Sequence, residues 1–234
     1  MDWDPRKRAS PPDSLNRPAL KICGLRHPRQ ALAIGALGVE AIGVIGVAAS
    51  PRYLEPQPRR ILFQELAAAF PNCRGVLVVA DPDDSQLTEL AAEGGHRVLQ
   101  LHGRETPERC SQLRHQLGLE VWKALRIRSA ADLQQAQVYG GSVDALLLDA
   151  WVEGQLGGTG QALPLQWLQN FAPPMPWWLA GGITPERAGT IVRQLRPDGL
   201  DVSSGVETAP GEKDLSQVQQ LLDAISGSAT IPAV

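Results

Sequence analysis

Eight short apolar runs alternate with eight helix-like segments between residues 19 and 226, and polar residues gather just after the apolar runs. The runs are apolar on consecutive positions, as strands buried on both faces are. Together these observations predict an α/β chain folded as a single (β/α)8 TIM barrel with parallel strands, slightly below the usual size of that fold.

The strands are read in order at "ALKIC", "VEAIGVIGV", "RGVLVVA", "RVLQLH", "VWKALRI", "DALLLDA", "WWLAG" and "LDVSS". The helices are read at "HPRQALAIGAL", "PRRILFQELAAAF", "SQLTELAAEGG", "TPERCSQLRHQLG", "SAADLQQAQVYGG", "LPLQWLQNF", "TPERAGTIVRQL" and "DLSQVQQLLDAI". Two of them open on Thr-Pro-Glu, a cap residue followed by proline at the first helical position. A doubly wound sheet is the structural alternative. It would show fewer units and a Gly-rich turn after its first strand, where this chain has "CGLRHP".

Residues 19–226 are expected to form the barrel. Residues 1–18, rich in Pro, Arg, Asp and Ser, are expected to be a flexible lead-in, and 227–234 a flexible tail. The net charge of −3 offers no basic field for nucleic acid or an acidic membrane. Three separated cysteines, with no CxxC pair, argue against a disulfide framework or a structural zinc site and fit a reducing compartment. No apolar run has the length or flanks of a signal peptide or a membrane span. The expectation is a cytoplasmic protein acting on a small molecule, with no nucleic-acid or membrane partner, as a monomer or homodimer.

In this fold chemistry sits at the C-terminal ends of the strands. Cys23 ends the first strand, Arg52 lies after the second, His102 after the fourth, and Asp149 ends the sixth. Gly181 and Gly182 follow the seventh, and Asp201, Ser203, Ser204 and Gly205 end the eighth. Glycines and hydroxyls at these last two strand ends suit a phosphate, because bare backbone N–H groups can approach its oxygens. Either motif alone reads equally as a tight turn. Asp149 follows an apolar run, and burial there would favour a protonated general acid. It also fits a helix cap or a salt-bridged carboxylate. Asp144, in the same run, belongs at the strand's entrance. "GQLGGTGQ", with Gly157, Gly158, Thr159 and Gly160, reads as a closing lid or as a surface loop. Arg52 suits a carboxylate or phosphate, or solvent. His102 can orient a substrate or hold a loop. Cys23 by itself reads as a small buried hydrophobe, as do Cys73 and Cys110.

"LKICGL", "SPRYLEP", "LQLHG", "LLLDA" followed by "GGTGQ", "LAGGITPERA" and "GLDVSSGVE" with "PGEKD" occur in this order. The set resembles the phosphoribosylanthranilate isomerase family of tryptophan biosynthesis, from about residue 19 to residue 225. The resemblance implies an Amadori rearrangement without cofactor or metal, converting N-(5-phosphoribosyl)anthranilate to 1-(2-carboxyphenylamino)-1-deoxyribulose 5-phosphate. It implies Cys23 as general base and Asp149 as general acid. It also implies Arg52 as partner of the anthranilate carboxylate and Asp201 facing the sugar hydroxyls. The chain departs from the family in its second strand, "GVIGV" where GFxF is common. It departs again in its third, "GVLVVAD" where GVFVN is common, which places Val79 at an asparagine position.

Two other readings compete. An enzyme like indole-glycerol-phosphate synthase would need a lysine acid and a helical N-terminal cap, and four prolines make residues 1–18 a poor helix. A barrel that only binds a phosphosugar predicts loss of Cys23 or Asp149, and both are present.

Overall fold

The computed structural model describes residues 17–91, 94–150 and 160–227. Eight parallel strands close into a barrel: β1 (Ala19–Cys23), β2 (Ala41–Ile45), β3 (Arg74–Val79), β4 (Val98–Leu101), β5 (Glu120–Ile127), β6 (Ala145–Ala150), β7 (Trp177–Ala180) and β8 (Gly199–Val202). Each pairs with its sequence neighbours. β8 closes on β1 with Lys21 opposite Asp201. The fold class is the one the alternating pattern predicts. Of the expected lead-in (1–18) and tail (227–234), residues 1–16 and 228–234 lie outside the described residues. Arg17 is described and pairs with Glu40 at 3.0 Å. No helix among the described residues is long and apolar enough to cross a membrane.

The strands divide the core in two. One side packs outward against helices, where Leu20, Ile22, Leu77, Leu99, Leu146 and Leu200 join residues such as Leu62, Leu113, Ile191 and Leu221. Each such side chain contributes roughly 1.5–3 kcal/mol when fully buried. The other side fills the barrel with Ala41, Val76, Val98, Trp122, Leu147 and Trp178. Trp122 and Trp178 stack with centroids 4.6 Å apart, and the Arg74 guanidinium lies 5.0 Å from the Trp122 ring. These residues sit at the strand beginnings and plug the end opposite the catalytic face.

Helix starts follow local chemistry. α1 (Pro28–Ala36), α2 (Pro56–Ala69), α4 (Pro107–Leu117) and α5 (Pro185–Gln194) each open on proline, whose missing N–H would have no helical partner at that position. Thr106 accepts a bond from the Arg109 N–H and caps α4, whereas Thr184 makes no side-chain cap bond. Asp214 accepts bonds from Ser216 and Gln217 and caps α6 (Leu215–Ser226).

Three of the expected helices are shorter or tighter than the pattern implies. The third unit holds a 3-10 turn, Asp84–Gln86, and then α3 (Leu87–Leu90), only four residues long. Ala130–Tyr139 is a 3-10 helix. It buries only Ala136 and runs into Gly140 and Gly141, so no apolar stripe rewards an α-helix. Leu165–Trp167 is a single 3-10 turn between Pro164 and Pro173, which leave little room for a longer helix. An antiparallel pair, β9 (Glu207–Ala209) and β10 (Glu212–Lys213), lies after β8. Sequence reading missed it because its strands are short and polar.

Candidate active site

Cys23, Arg52, His102, Asp149, Gly160, Gly181, Gly182, Asp201, Ser203, Ser204 and Gly205 all line one cavity, open to solvent, at the C-terminal ends of the strands. They come from positions up to 182 residues apart (205 minus 23), brought together by barrel closure. Gly157, Gly158 and Thr159 of the expected lid lie outside the described residues. Cys73 and Cys110 are buried away from this cavity, and burial pushes both thiols up to about 12. Asp144 lies before β6, where it pairs with Arg114 at 2.7 Å and accepts the Val121 N–H at 2.8 Å.

The loops after β7 and β8 are built for close approach. Gly181 and Gly182 have φ of +86° and +58°, a region that side chains with Cβ avoid. At Gly205 a Cβ would collide with the Ile183 carbonyl oxygen. The two loops therefore meet backbone to backbone. The Ser203 hydroxyl donates to the Cys23 carbonyl at 3.0 Å and so ties the β8 end to the β1 end.

Beneath the mouth, the barrel interior is polar. Lys21 precedes Cys23 by two residues, and Gln100 precedes His102 by two. Alternation therefore turns each pair to the same face of its strand. The Lys21 Nζ donates to Asp201 Oδ1 at 2.8 Å and to Gln100 Oε1 at 2.9 Å. An ammonium can only donate, so the Gln100 carbonyl oxygen must face it. The Gln100 amide then donates to His102 Nδ1 at 3.2 Å. A neutral His102 consequently carries its proton on Nε2. That atom lies 3.5 Å from Asp149 Oδ2, a charge-pair separation rather than a made hydrogen bond, and has no other partner among the described residues. Signals for Lys21 and Gln100 were present in the sequence, as polar residues two positions before Cys23 and His102.

Arg52 is not free in this arrangement. Its Nε and Nη2 donate to the Glu207 carboxylate at 2.9 and 2.6 Å. Glu207 also accepts from the Lys213 Nζ at 2.5 Å and the Gly211 N–H at 3.0 Å. Two cations share one carboxylate, so this cluster by itself carries a net positive charge. Burial opposes the charge of Glu207, but the bonds from Arg52 and Lys213 outweigh it and hold the carboxyl below its usual range. Burial likewise lowers the Lys213 pKa. Glu207 and Lys213 were not selected from sequence because nothing local pairs them with Arg52, 155 residues from Glu207.

Burial also pushes the Cys23 thiol above its ordinary range. Lys21 and Lys213 pull the other way, and Asp201 adds to the rise. No cluster of three or more His, Cys, Asp or Glu that could hold a metal occurs among the described residues.

A family model described as N-(5'-phosphoribosyl)anthranilate (PRA) isomerase matches residues 20–224. The N-(5'-phosphoribosyl)anthranilate isomerase of Synechocystis sp. is 47% identical over 212 residues, covering 88% of this chain and 96% of that protein. That of Synechococcus elongatus is 46% identical over 213 residues, covering 91% and 98%. The crystal structure of phosphoribosyl anthranilate isomerase from Thermus thermophilus superposes with a TM-score of 0.77 at 31% identity, covering 89% of this chain and 98% of that one. A phosphoribosyl anthranilate isomerase in complex with reduced 1-(o-carboxyphenylamino)-1-deoxyribulose 5-phosphate superposes at 0.74 with 28% identity, covering 90% and 99%. Fold and relatives together place the chain among the (β/α)8-barrel aldose–ketose isomerases. It belongs to the N-(5'-phosphoribosyl)anthranilate isomerase family of tryptophan biosynthesis.

Proposed function

We propose that the cavity converts N-(5'-phosphoribosyl)anthranilate to 1-(2-carboxyphenylamino)-1-deoxyribulose 5-phosphate, with Asp149 as general acid and Cys23 as general base. The observation that carries this reading is the placement of Cys23 and Asp149, from β1 and β6, on the wall of one cavity beside the glycine-rich loops. Asp149 gives its proton to the ribose ring oxygen, the C1–O bond breaks, and C1 and nitrogen become an iminium. The Cys23 thiolate then takes the C2 proton. The C2–H electron pair forms the C1–C2 double bond, and the iminium pair returns to nitrogen. The resulting enolamine tautomerises to the ketone. Loss of anthranilate-type fluorescence from freshly made substrate tests the activity directly, and no change over background would overturn it.

The rest of the cavity has matching parts. Gly181, Gly182, Ser203, Ser204 and Gly205 would hold the phosphate, with backbone N–H groups as donors. Gly205→Ala would force this loop away from Ile183. It is expected to raise KM and to weaken competitive inhibition by inorganic phosphate. Equal phosphate inhibition in the variant and the parent would place the anion elsewhere. Ile45 and Val47, from the segment where the chain departs from the common GFxF pattern, and Val78 of β3 would supply an apolar wall for the anthranilate ring. Asp201 and His102 would face the sugar. The enzyme would act in the cytoplasm as a monomer or homodimer. The Thermotoga maritima relative, 26% identical, is described as dimeric.

Arg52 would bind the anthranilate carboxylate through Nη1, which makes no hydrogen bond among the described residues, while Glu207 holds Nε and Nη2. The carboxylate is remote from the reacting bonds, so its binding is nearly equal in ground and transition states. Arg52→Ala is expected to raise KM roughly 10- to 150-fold, matching a charge-assisted bond of about 1.5–3 kcal/mol, with kcat less affected. Arg52→Lys should recover only part, because an ammonium lacks the planar fork that engages Glu207 and substrate together. An unchanged KM in the alanine variant would remove Arg52 from the carboxylate site.

A further inference from the structure

Burial opposes the thiolate that a cysteine base requires. The structure sets a wholly buried lysine directly below that cysteine. Lys21 and Cys23 both face the barrel interior, and both converge over the bare α-carbon of Gly43 on β2. A Cβ there would lie 2.7 Å from Cys23 Sγ and 3.1 Å from Lys21 Nζ. A charged lysine inside a barrel is costly, and an apolar side chain would fill the same space without that cost. Asp201 and Gln100 take two of its three N–H bonds, which leaves a donor for the sulfur.

We propose that Lys21 is a positioning residue for the proton transfer: its ammonium, held by Asp201 and Gln100, faces Cys23 Sγ and stabilises the thiolate. This rests on the reading of Cys23 as the base. The other charged groups around the sulfur are accounted for. Asp201 on β8 opposes the thiolate but is paired with Lys21. Lys213 on β10 and Arg52 after β2 favour it, yet both are engaged by Glu207 on β9. His102 on β4 and Asp149 on β6 border the same cavity and face each other. Lys21 differs from Lys213 and Arg52 in converging with the sulfur over the Gly43 backbone.

The test is the pH dependence of Cys23 alkylation by iodoacetamide, followed on the Cys23 peptide by mass. Lys21→Met should slow alkylation at pH 7 by about ten-fold or more and move the profile to higher pH. Asp201→Asn, which leaves the ammonium without its carboxylate, should speed it. The double variant Lys21→Met/Asp201→Asn buries no unpaired charge, so it guards against misfolding of the single variant. It should alkylate about ten-fold or more slowly than Asp201→Asn alone. Equal rates in those two proteins would show that Lys21 only fills the barrel, and would overturn the proposal. Retained turnover in Cys23→Ser would instead overturn the base assignment, and the alkylation series would still read the Lys21 contact by itself.

Discussion

Cys23→Ser is expected to fold normally and to lose turnover by about 100- to 10,000-fold, the range for removal of a general base. The substitution changes one buried atom at the end of β1 and leaves the strand's pairing with Gly43 untouched. What changes is the acid. A thiol ionises near pH 8.5 in its reference state, whereas an alcohol stays protonated throughout the working range, and Lys21 cannot close that gap. In the parent, kcat/KM should fall as pH drops, because only the thiolate accepts the C2 proton. Burial shifts this limb to higher pH and Lys21 shifts it back. The check is kcat of the purified variant beside its circular dichroism. A serine enzyme with near-parental kcat would mean that another group takes the proton.

Asp149→Asn should be comparably inactive for the opposite reason. The amide keeps the shape at the end of β6 and can still face the His102 Nε2–H, which lies 3.5 Å from the present carboxylate. It has no acidic proton to give to the ribose oxygen, so ring opening loses its acid, and kcat should fall by about 100- to 10,000-fold. KM should change little, since the lost interaction belongs to the transition state. If KM alone rose, Asp149 would be a binding residue. The nearest replacement acid would then be His102, whose proton the Lys21–Gln100 chain directs to the same side of the cavity.

The alternating runs and their consecutive apolar residues carried enough to read the barrel, because burial on both strand faces leaves a local signature. Strand ends were legible for the same reason, and with them Cys23, Asp149 and the glycines of the last two loops. Helix type was less so. Ala130–Tyr139 and Leu165–Trp167 look helical by composition, but the depth to which each packs and the neighbouring Gly or Pro decide between an α-helix and a tight turn. The β9–β10 pair escaped because strands of three and two residues are too short to show a period.

By itself the sequence determined the fold class, the strand ends and a set of polar residues along the chain. Those follow from spacing within about ten residues, the scale on which periodicity and capping act. Only the tertiary structure decided which of these residues share a charge. Lys21 meets Asp201 across 180 positions and Gln100 across 79. Arg52 meets Glu207 across 155, and Glu207 turns back to hold Lys213. Barrel closure brings β8 against β1, and the ionisation of Cys23 depends on the cations and carboxylates that closure sets around it. A charge felt through a few ångströms of buried protein leaves no pattern along the chain, because the chain brings its two ends there from opposite termini.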